Sequence, residues 1–327
     1  MLNSRVGLVI VSIAAWAAVG SATLSAQDTW PNRSVTMIVP FPPGGSTDVI
    51  GRVVGEGLRQ VLGQPVVIDN RGGAGGSLGT AAIAKAAPDG HTIGMGTAST
   101  LAINPAVYSN LIYDVTKDLA AITNIAAVPN VMTVHPALPA KSVAELIALA
   151  KAEPGKLSYA SAGNGSVSHL MGEQFKLATG TNLVHVPYRG VGPALNDAVG
   201  GQVQVMYDNL PSSLALIQAG KLRALAVSSP KRLEALPDVP TFAELKLDDI
   251  DWMAFFGVVA PAGTPAGVVE RLAAAVKQVL TMPEVREKLA GQQAILIGNA
   301  PAEFSAQIAR ELERFRRAVT AANIKVE

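Results

Sequence analysis

The sequence predicts an α/β protein of two lobes, in which each lobe is a mostly parallel sheet flanked by helices. Short apolar segments typical of strands alternate with amphipathic helical patterns from residue 35 onward, as expected for parallel strands joined by helical crossovers. The alternation restarts at Ser142 and Glu145, which form a capping box that opens a new helix. The 327 residues of the chain are also enough for two domains.

The first lobe is predicted to span residues 27–126 and to be completed by residues 252–327. Its elements are strands at 35–39, 66–68 and 92–95 and helices at about 47–62 and 76–86. The first of these helices repeats apolar residues at spacings of three and four, and it ends at the C-terminal signals Gly63 and Pro65. An apolar stretch at 125–134, interrupted by Pro129, then leads to the second lobe.

The second lobe is predicted to span residues 127–251. The helix that Ser142 opens is followed by strands at 157–161, 183–186, 203–207 and 222–227 and helices at 167–178 and 191–199. A polar linker with several aspartates precedes a strand at 255–259. Two amphipathic helices follow, the first capped at Thr264 and Pro265 and the second opened by Pro301. They carry no recognisable chemistry and are expected to pack on the first lobe.

The composition excludes several classes of protein. Lys and Arg number 26 against 25 Asp and Glu, and no basic run or patch stands out. Nucleic-acid binding therefore lacks its electrostatic requirement. The chain contains no cysteine, which excludes disulfides, thiolate catalysis and Cys-ligated zinc.

The N-terminal 26 residues have the pattern of a secretory signal peptide. Arg5 precedes an uncharged, mostly apolar run at 6–19, and small residues follow. Cleavage is expected after Ala26, with Ala22 as the other option. The alternative is a membrane anchor, but an apolar run of about 14 residues is short for a span of about 20. We therefore predict an exported, soluble protein.

Two strand–loop–helix junctions have the features of an anion site. The first, at residues 40–48, places two glycines before Ser46, Thr47 and Asp48 at the start of a helix. The second, at residues 160–169, places Ser166 as the N-cap and His169 in the first turn. A helix start presents unpaired N–H groups and partial positive charge, so it can hold an anion without a basic side chain.

Three further loops follow predicted strands, at residues 96–100, 187–190 and 208–209. Ligands of open α/β sheets bind beyond the carboxyl ends of the strands. One helix start contributes at most about 2 kcal/mol, against a burial penalty of several kcal/mol for a carboxylate. Two facing loops with hydroxyl groups are therefore required to hold a small carboxylate. Arg189 is the guanidinium near these loops and could clamp an acid, or it could lie in a surface turn.

Catalytic, cofactor and metal motifs find little support. Ser77 stands in a G-x-S-x-G string at 75–79, but residues 70–74 separate it from the preceding strand, whereas a nucleophile elbow requires the serine at the strand end. A secreted serine hydrolase using Ser77 remains the alternative function. Four scattered histidines and five tyrosines give little support to a metal site or an iron receptor. No cofactor is predicted.

A series of motifs runs in order through the predicted mature chain. They are Pro-Phe-Pro-Pro-Gly-Gly-Ser-Thr-Asp at 40–48, Val-Ile-Asp-Asn-Arg-Gly-Gly-Ala-Gly-Gly at 67–76, Ala-Pro-Asp-Gly-His-Thr at 87–92, Ala-Ser-Ala-Gly-Asn-Gly-Ser at 160–166, His-Val-Pro-Tyr-Arg-Gly at 185–190 and Leu-Arg-Ala-Leu-Ala-Val at 222–227. The match continues through residues 236–241 and 260–265. Together these motifs resemble the Bug family, the solute receptors of tripartite tricarboxylate transporters.

The resemblance implies a periplasmic binding protein of the type II kind, with its lobes hinged around a cleft. It implies a small carboxylate ligand, two integral-membrane transporter subunits as partners, a monomeric state and no enzymatic activity. Carried over to this sequence, the ligand-binding residues of the first lobe are Phe41, Pro42, Gly44, Gly45, Ser46, Thr47, Asp48, Thr97, Ala98 and Ser99. Those of the second lobe are Ser161, Asn164, Gly165, Ser166, His169 and Asp208. Pro42 departs from the alanine that the family leads us to expect.

Overall fold

The computed structural model describes residues 30–321 and residue 324. The predicted signal peptide at residues 1–26 lies outside them. The strands in the described part are β1 (Val35–Val39), β2 (Val66–Asn70), β3 (Thr92–Thr97), β4 (Leu119–Val128), β5 (Asn130–Val134), β6 (Ser158–Ser161), β7 (Val184–Pro187), β8 (Val205–Asn209), β9 (Arg223–Ser228), β10 (Ala254–Pro261) and β11 (Ile295–Leu296).

The helices lie between these strands and after them. They are α1 (Ser46–Leu62), α2 (Ser77–Ala84), α3 (Asn104–Val107), α4 (Val115–Asp118), α5 (Val143–Ala152), α6 (Val167–Thr179), α7 (Val191–Val199), α8 (Leu210–Gln218), α9 (Ala266–Val279), α10 (Pro283–Gly291) and α11 (Pro301–Ala321). A π-helical segment, Ser99–Ile103, leads into α3. Within residues 30–321, no helix is long and apolar enough to cross a membrane.

The strands form two sheets, which confirms the predicted two-lobed α/β architecture. The first sheet has the order β11-β4-β10-β3-β1-β2, and the second has the order β7-β6-β8-β5-β9. Within the first sheet β1 pairs in parallel with β2 and β3. Within the second, β6 pairs in parallel with β7 and β8.

Most strands of each sheet run in one direction, as predicted, and a minority oppose them: β10 and β11 in the first sheet and β5 in the second. β10 is antiparallel to its neighbours β3 and β4, and β11 is antiparallel to β4. β5 is antiparallel to its neighbours β8 and β9. The reason lies in the chain path: β4 leaves the first sheet at the edge where β1 and β3 end, and β5 enters the second sheet where β8 ends. A strand that enters a sheet at the carboxyl edge of its neighbours must run against them.

The two crossings between the sheets are tied together by Asn130. Only Pro129 separates β4 from β5, so the chain passes directly from one sheet to the other. The fully buried Asn130 donates through Nδ2 to the carbonyl oxygen of Trp252, which shortly precedes β10, over 2.7 Å. Asn209, at the end of β8, donates through Nδ2 to Asn130 Oδ1 over 2.6 Å. Hydrogen bonds thus join both crossings beside the ends of the strands.

Helix α1 packs closely on the first sheet and on α9. Its apolar face buries Ile50, Val54 and Leu58. A Cβ at Gly51 would lie 3.2 Å from a methyl of Val39, and a Cβ at Gly57 would lie 2.4 Å from a methyl of Val279. The missing side chains therefore set how near the helix lies to its neighbours. This packing holds the start of α1 at the edge between the two sheets.

Candidate functional site

A cavity of about 40 Å³ lies where the strand ends of the two sheets meet. It exceeds the ~10–15 Å³ that one water requires. Nine of the predicted site residues line it: Phe41, Gly45, Ser46, Thr47, Thr97, Ala98, Ser99, Ser166 and Asp208. The structure therefore brings the first-lobe loops and the second-lobe loop together, as the facing-loop hypothesis expects.

Eight further residues complete the wall; four of them belong to the predicted loops at 160–169 and 208–209 but were not singled out, and the other four lie outside every predicted loop. They are Ala162, Val167, Ser168, Val191, Asn209, Ser212, Ala254 and Phe256. Most lie next to a predicted residue or in a helix packed behind it. Ala254 and Phe256 belong to β10, the strand that returns from the second sheet.

The first-lobe wall is the start of α1. Its N-cap, Gly45, has an extended backbone and no side-chain capping bond, so side chains leave the N–H groups of this first turn uncapped. Ser46 Oγ lies 3.2 Å from the carbonyl oxygen of Asn209, to which it donates, and 2.8 Å from Ser212 Oγ. The first wall therefore contacts the second directly.

The opposite wall is the start of α6, held by serine hydroxyl groups. Ser166 Oγ accepts from the backbone N of His169 over 3.2 Å and donates to the carbonyl oxygen of Gly163 over 2.6 Å. The backbone N of Val167 donates to Ser99 Oγ across the cleft over 3.0 Å. Two helix starts therefore face one small cavity with hydroxyl groups between them.

Asp48 does not line the cavity but holds the first loop in place. Its carboxylate accepts from the backbone N of Gly44 over 3.0 Å, from Asn70 Nδ2 over 2.9 Å and from Arg52 Nε over 3.0 Å. Burial by itself would raise the pKa of Asp48, but the hydrogen bonds from Arg52, Gly44 and Asn70 outweigh it and lower the pKa. Gly44 itself supplies a backbone contact and lies outside the cavity wall.

Ser161, Gly165 and His169 lie behind the second wall. Ser161 Oγ is 2.7 Å from His185 Nε2, and the backbone N of Gly165 donates to His169 Nδ1 over 3.2 Å. The two imidazole rings stack with their centroids 4.3 Å apart. Burial lowers the pKa of both histidines, that of His185 to about 4 with a further contribution from His169. These residues shape the loop instead of lining the cavity.

Pro42, Asn164 and Arg189 border a second, larger cavity of about 330 Å³ that also includes Phe41. This second cavity lies between residues 73–76 and 187–190. Tyr108 closes part of it by donating its hydroxyl to the carbonyl oxygen of Asn164 over 2.9 Å. Arg189 is exposed there and does not line the 40 Å³ cavity.

Asp208 lies at the end of β8, in the wall of the 40 Å³ cavity, and is 6% exposed. Its Oδ1 accepts from the backbone N of Asn209 over 2.7 Å. Burial raises the pKa of Asp208 to about 7, against the nearby hydroxyls of Ser212 and Ser213 and the Asn209 amide, which favour the charged form. Among the described residues that line this cavity, Asp208 is the one ionisable side chain.

Ser77, the residue of the alternative hydrolase hypothesis, is the first residue of α2 and is buried. Its Oγ accepts from Asn104 Nδ2 over 3.0 Å. A nucleophilic serine requires a general base within hydrogen-bond reach, and an amide that donates to the hydroxyl is not one. In the described part of the chain, no group of three or more His, Asp or Glu side chains could hold a metal ion.

Comparison with known proteins identifies the family. The model described as "Tripartite tricarboxylate transporter family receptor" matches residues 50–324. The chain belongs to this receptor family. Protein BugT of Bordetella pertussis (strain Tohama I) is 39% identical over 312 residues, which is 95% of this chain and 96% of BugT. The predicted membership of the Bug family is therefore confirmed.

Solved structures of similar proteins support the same conclusion. The periplasmic binding protein BugD is 34% identical with a TM-score of 0.88, over 91% of this chain and 100% of BugD. Rpa4515 of R. palustris, solved with adipate, is 38% identical with a TM-score of 0.87, over 90% and 99% of the two chains. MatC of Rhodopseudomonas palustris, with bound malate, is 33% identical with a TM-score of 0.85, over 88% and 99%. The protein is a solute-binding receptor and not an enzyme.

Proposed function

We propose that this protein captures a small organic acid in the periplasm for a tripartite tricarboxylate transporter. The acid is held between the two lobes, with a carboxylate group in the 40 Å³ cavity. Two integral-membrane subunits receive the acid from the closed receptor. The receptor acts as a monomer and is exported after cleavage of residues 1–26, and its lobes comprise residues 27–126 with 252–327 and residues 127–251.

The observation that carries this proposal is the meeting of two uncharged anion-binding elements. The starts of α1 and α6 face the cavity, and several hydroxyl groups lie between them. Each helix start typically contributes ~0.3–1 kcal/mol toward an anion, and each hydrogen bond to a charged group adds about 1.5–3 kcal/mol. Two helix starts and several such bonds together offset the several kcal/mol that burial of a carboxylate costs.

The relatives support a carboxylate as the ligand. Adipate, found with Rpa4515, and malate, found with MatC, both carry carboxylate groups. In this chain the pair of facing loops supplies the N–H and O–H donors that the end of a carboxylate requires. The remainder of the ligand contacts side chains such as Phe41, Val191 and Phe256. These side chains limit the size of the ligand.

A thermal-shift screen tests the proposal. The mature protein is heated with dicarboxylates, tricarboxylates, amino acids and aromatic acids, each at 1 mM or more. A ligand at 100 times its Kd stabilises the folded state by about 2.7 kcal/mol, which corresponds to a rise in Tm of roughly 4 °C at an unfolding entropy of about 2.1 cal/mol/K per residue. If no acid raises the Tm of well-folded protein, the proposal is wrong.

A further inference from the structure

The carboxyl group of Asp208 has one oxygen that the protein leaves without a partner. Oδ1 accepts the backbone hydrogen bond of Asn209, but Oδ2 is buried and forms no hydrogen bond within the described residues. Buried polar atoms without a partner are uncommon in folded proteins. Because Asp208 also lines the ligand cavity, the unpaired oxygen is placed where a bound molecule can reach it once the lobes open.

No positive side chain neutralises this carboxyl group. Lys, Arg and His are absent from the described residues that line the cavity. The titratable side chains on the elements packed against β8 are Tyr159 of β6, His169, Glu173 and Lys176 of α6, and Asp197 of α7. None of them forms a hydrogen bond with Asp208. Asp48, on the other side of the cleft, is by contrast held by Arg52 with a separation of 2.9 Å.

We infer that Asp208 accepts a hydrogen bond from an ammonium group of the ligand, so that the preferred ligands are small ammonium carboxylates of the amino-acid type. The inference rests on the proposed function, because it assigns the second functional group of the captured acid. The ligand carboxylate binds the two helix starts and the ammonium group binds Asp208. The ammonium group then offsets the charge of Asp208, and the two helix starts offset that of the ligand carboxylate.

The competing ligand is a dicarboxylate, whose second carboxylate would lie beside Asp208. It would place two acidic groups together in a cavity whose described lining holds no cation, which two carboxyl groups tolerate only when they share a proton. An ammonium group needs no such proton and also supplies the donor that Oδ2 lacks. The structure therefore favours an amino acid over a plain dicarboxylate of the same length.

The test compares acids that differ only in the amino group. Isothermal titration at pH 7 measures L-alanine against propionate, L-aspartate against succinate and L-glutamate against glutarate. At least one amino acid is expected to bind 10-fold or more tightly than its partner. Asp208→Asn should weaken the affinity for that amino acid by 10-fold or more and abolish the preference for it over the acid without an amino group. Asp238→Asn removes the same charge from an exposed loop, and its affinities should equal those of the wild type.

Proton exchange gives a second measurement that needs no variant. Burial raises the pKa of Asp208 to about 7 in the closed receptor, so the group is partly protonated there at pH 7 when no ligand is bound. A bound ammonium group lowers this pKa and releases a proton, whereas a bound second carboxylate takes one up. Calorimetric titrations in two buffers of different ionisation enthalpy show whether binding releases protons or takes them up.

The outcomes separate the inference from the proposed function. If the acids without an amino group bind as tightly as the amino acids, or if binding takes up a proton, the inference is overturned while the receptor function stands. If no acid of either kind binds, the proposed function fails and the inference fails with it. Tighter binding of an amino acid together with proton release supports both.

Discussion

Single hydroxyl groups of this site serve both a helix and the cavity, and Ser166 is the clearest case. It lines the cavity and accepts the capping hydrogen bond of α6. Ser142 caps α5 in the same way, through a 3.1 Å bond from the backbone N of Glu145, but it does not line the cavity. The two serines therefore allow the contribution of a cap to be separated from that of a binding group.

We expect Ser166→Ala to lower both stability and ligand affinity. Loss of the cap costs about 1 kcal/mol, and loss of the hydroxyl that orders the loop at the start of α6 weakens affinity by roughly 10-fold, the equivalent of one hydrogen bond. Ser142→Ala should cost similar stability and leave affinity unchanged. Denaturant unfolding and calorimetric titration of both variants make the comparison. Equal affinities for Ser166→Ala and the wild type would remove this residue from the site.

Asp48 is expected to act on binding through the loop that it holds. Asp48→Ala removes the acceptor of Gly44, Asn70 and Arg52, so the start of α1 loses its fixed position. Hydrogen bonds to a charged group contribute about 1.5–3 kcal/mol each, and affinity should fall at least ~10-fold in a protein that remains folded. Asp89→Ala breaks an exposed pair with Arg33 at the other edge of the sheet and should bind as the wild type does. Unchanged affinity in Asp48→Ala would refute this role.

The stacked histidines make stability depend on pH. Burial lowers the pKa of His185 to about 4, whereas an unfolded histidine has a pKa of about 6.5. Between these values the unfolded chain binds more protons than the folded protein, so stability falls as pH falls from 6.5 to 4. The Tm of the wild type should therefore drop more steeply over this range than that of His185→Gln. Parallel slopes in scanning calorimetry would contradict the assignment.

At the scale of the elements, the packing of α1 against the first sheet and α9 determines the position of one wall of the site. Gly57→Ala would place a methyl 2.4 Å from Val279. Overpacking of this kind costs about 1–3 kcal/mol, more than the ~1 kcal/mol that alanine gains over glycine as a helix former. We expect a net loss of stability, which Val279→Ala should relieve in the double variant. Gly267→Ala, on the exposed side of α9 with nothing within 4 Å, should instead stabilise the protein in chemical denaturation.

The sequence predicts most elements because their patterns are local. The strand at 35–39 and the helix at 191–199 have the predicted bounds. Helix α8 was missed because Pro211 and the two serines after it resemble turn residues, although proline suits the first turn of a helix. Residues 99–100 were assigned to a loop because hydroxyl residues are also common in turns, whereas in the structure they begin the π-helical segment Ser99–Ile103. Chain direction within the sheets depends on the crossings, which no local pattern encodes.

The site was predicted only in part, because sequence patterns are local and part of the site is assembled by tertiary structure. Strand–loop–helix junctions are local and predicted the loops, and the resemblance to the Bug family singled out within them nine residues of the cavity wall. Ser212 and Phe256 come from elements that reach the cavity only through tertiary structure. The sequence also placed Asp48 and His169 in the right loops, but the direction of their side chains depends on partners distant in the chain, such as Asn70 and His185.

At the scale of the whole molecule, the two lobes are in contact across the cleft. Ser46 meets Ser212, Ser99 meets Val167, and Tyr108 meets Asn164. The first two of these contacts join residues that line the 40 Å³ cavity. We therefore propose that the lobes separate by a hinge motion at the crossings near Pro129 and Trp252.

A reversible cross-link tests this motion. Ser46 Oγ and Ser212 Oγ are 2.8 Å apart, and the chain has no cysteine, so Ser46→Cys with Ser212→Cys creates one defined pair. The oxidised variant should take up ligand at least ~10-fold more slowly than the reduced variant, because its lobes cannot open. Stopped-flow experiments measure the rate of ligand uptake by both forms, with each single variant as a control. Uptake at equal rates would show that the lobes need not part.

The position of β10 in the chain also determines when the first sheet can finish folding. This strand lies between β3 and β4 in the finished sheet, yet it is made only after the whole second sheet has been synthesised. Until residues 254–261 arrive, β3 has one edge without a partner and β4 has two, because its other neighbour β11 is made later still. Such edges readily pair with other chains. The first sheet therefore cannot be completed on a partly made chain. In the export that we propose for this protein, a chain that must stay extended to pass through a translocation channel gains from this delay.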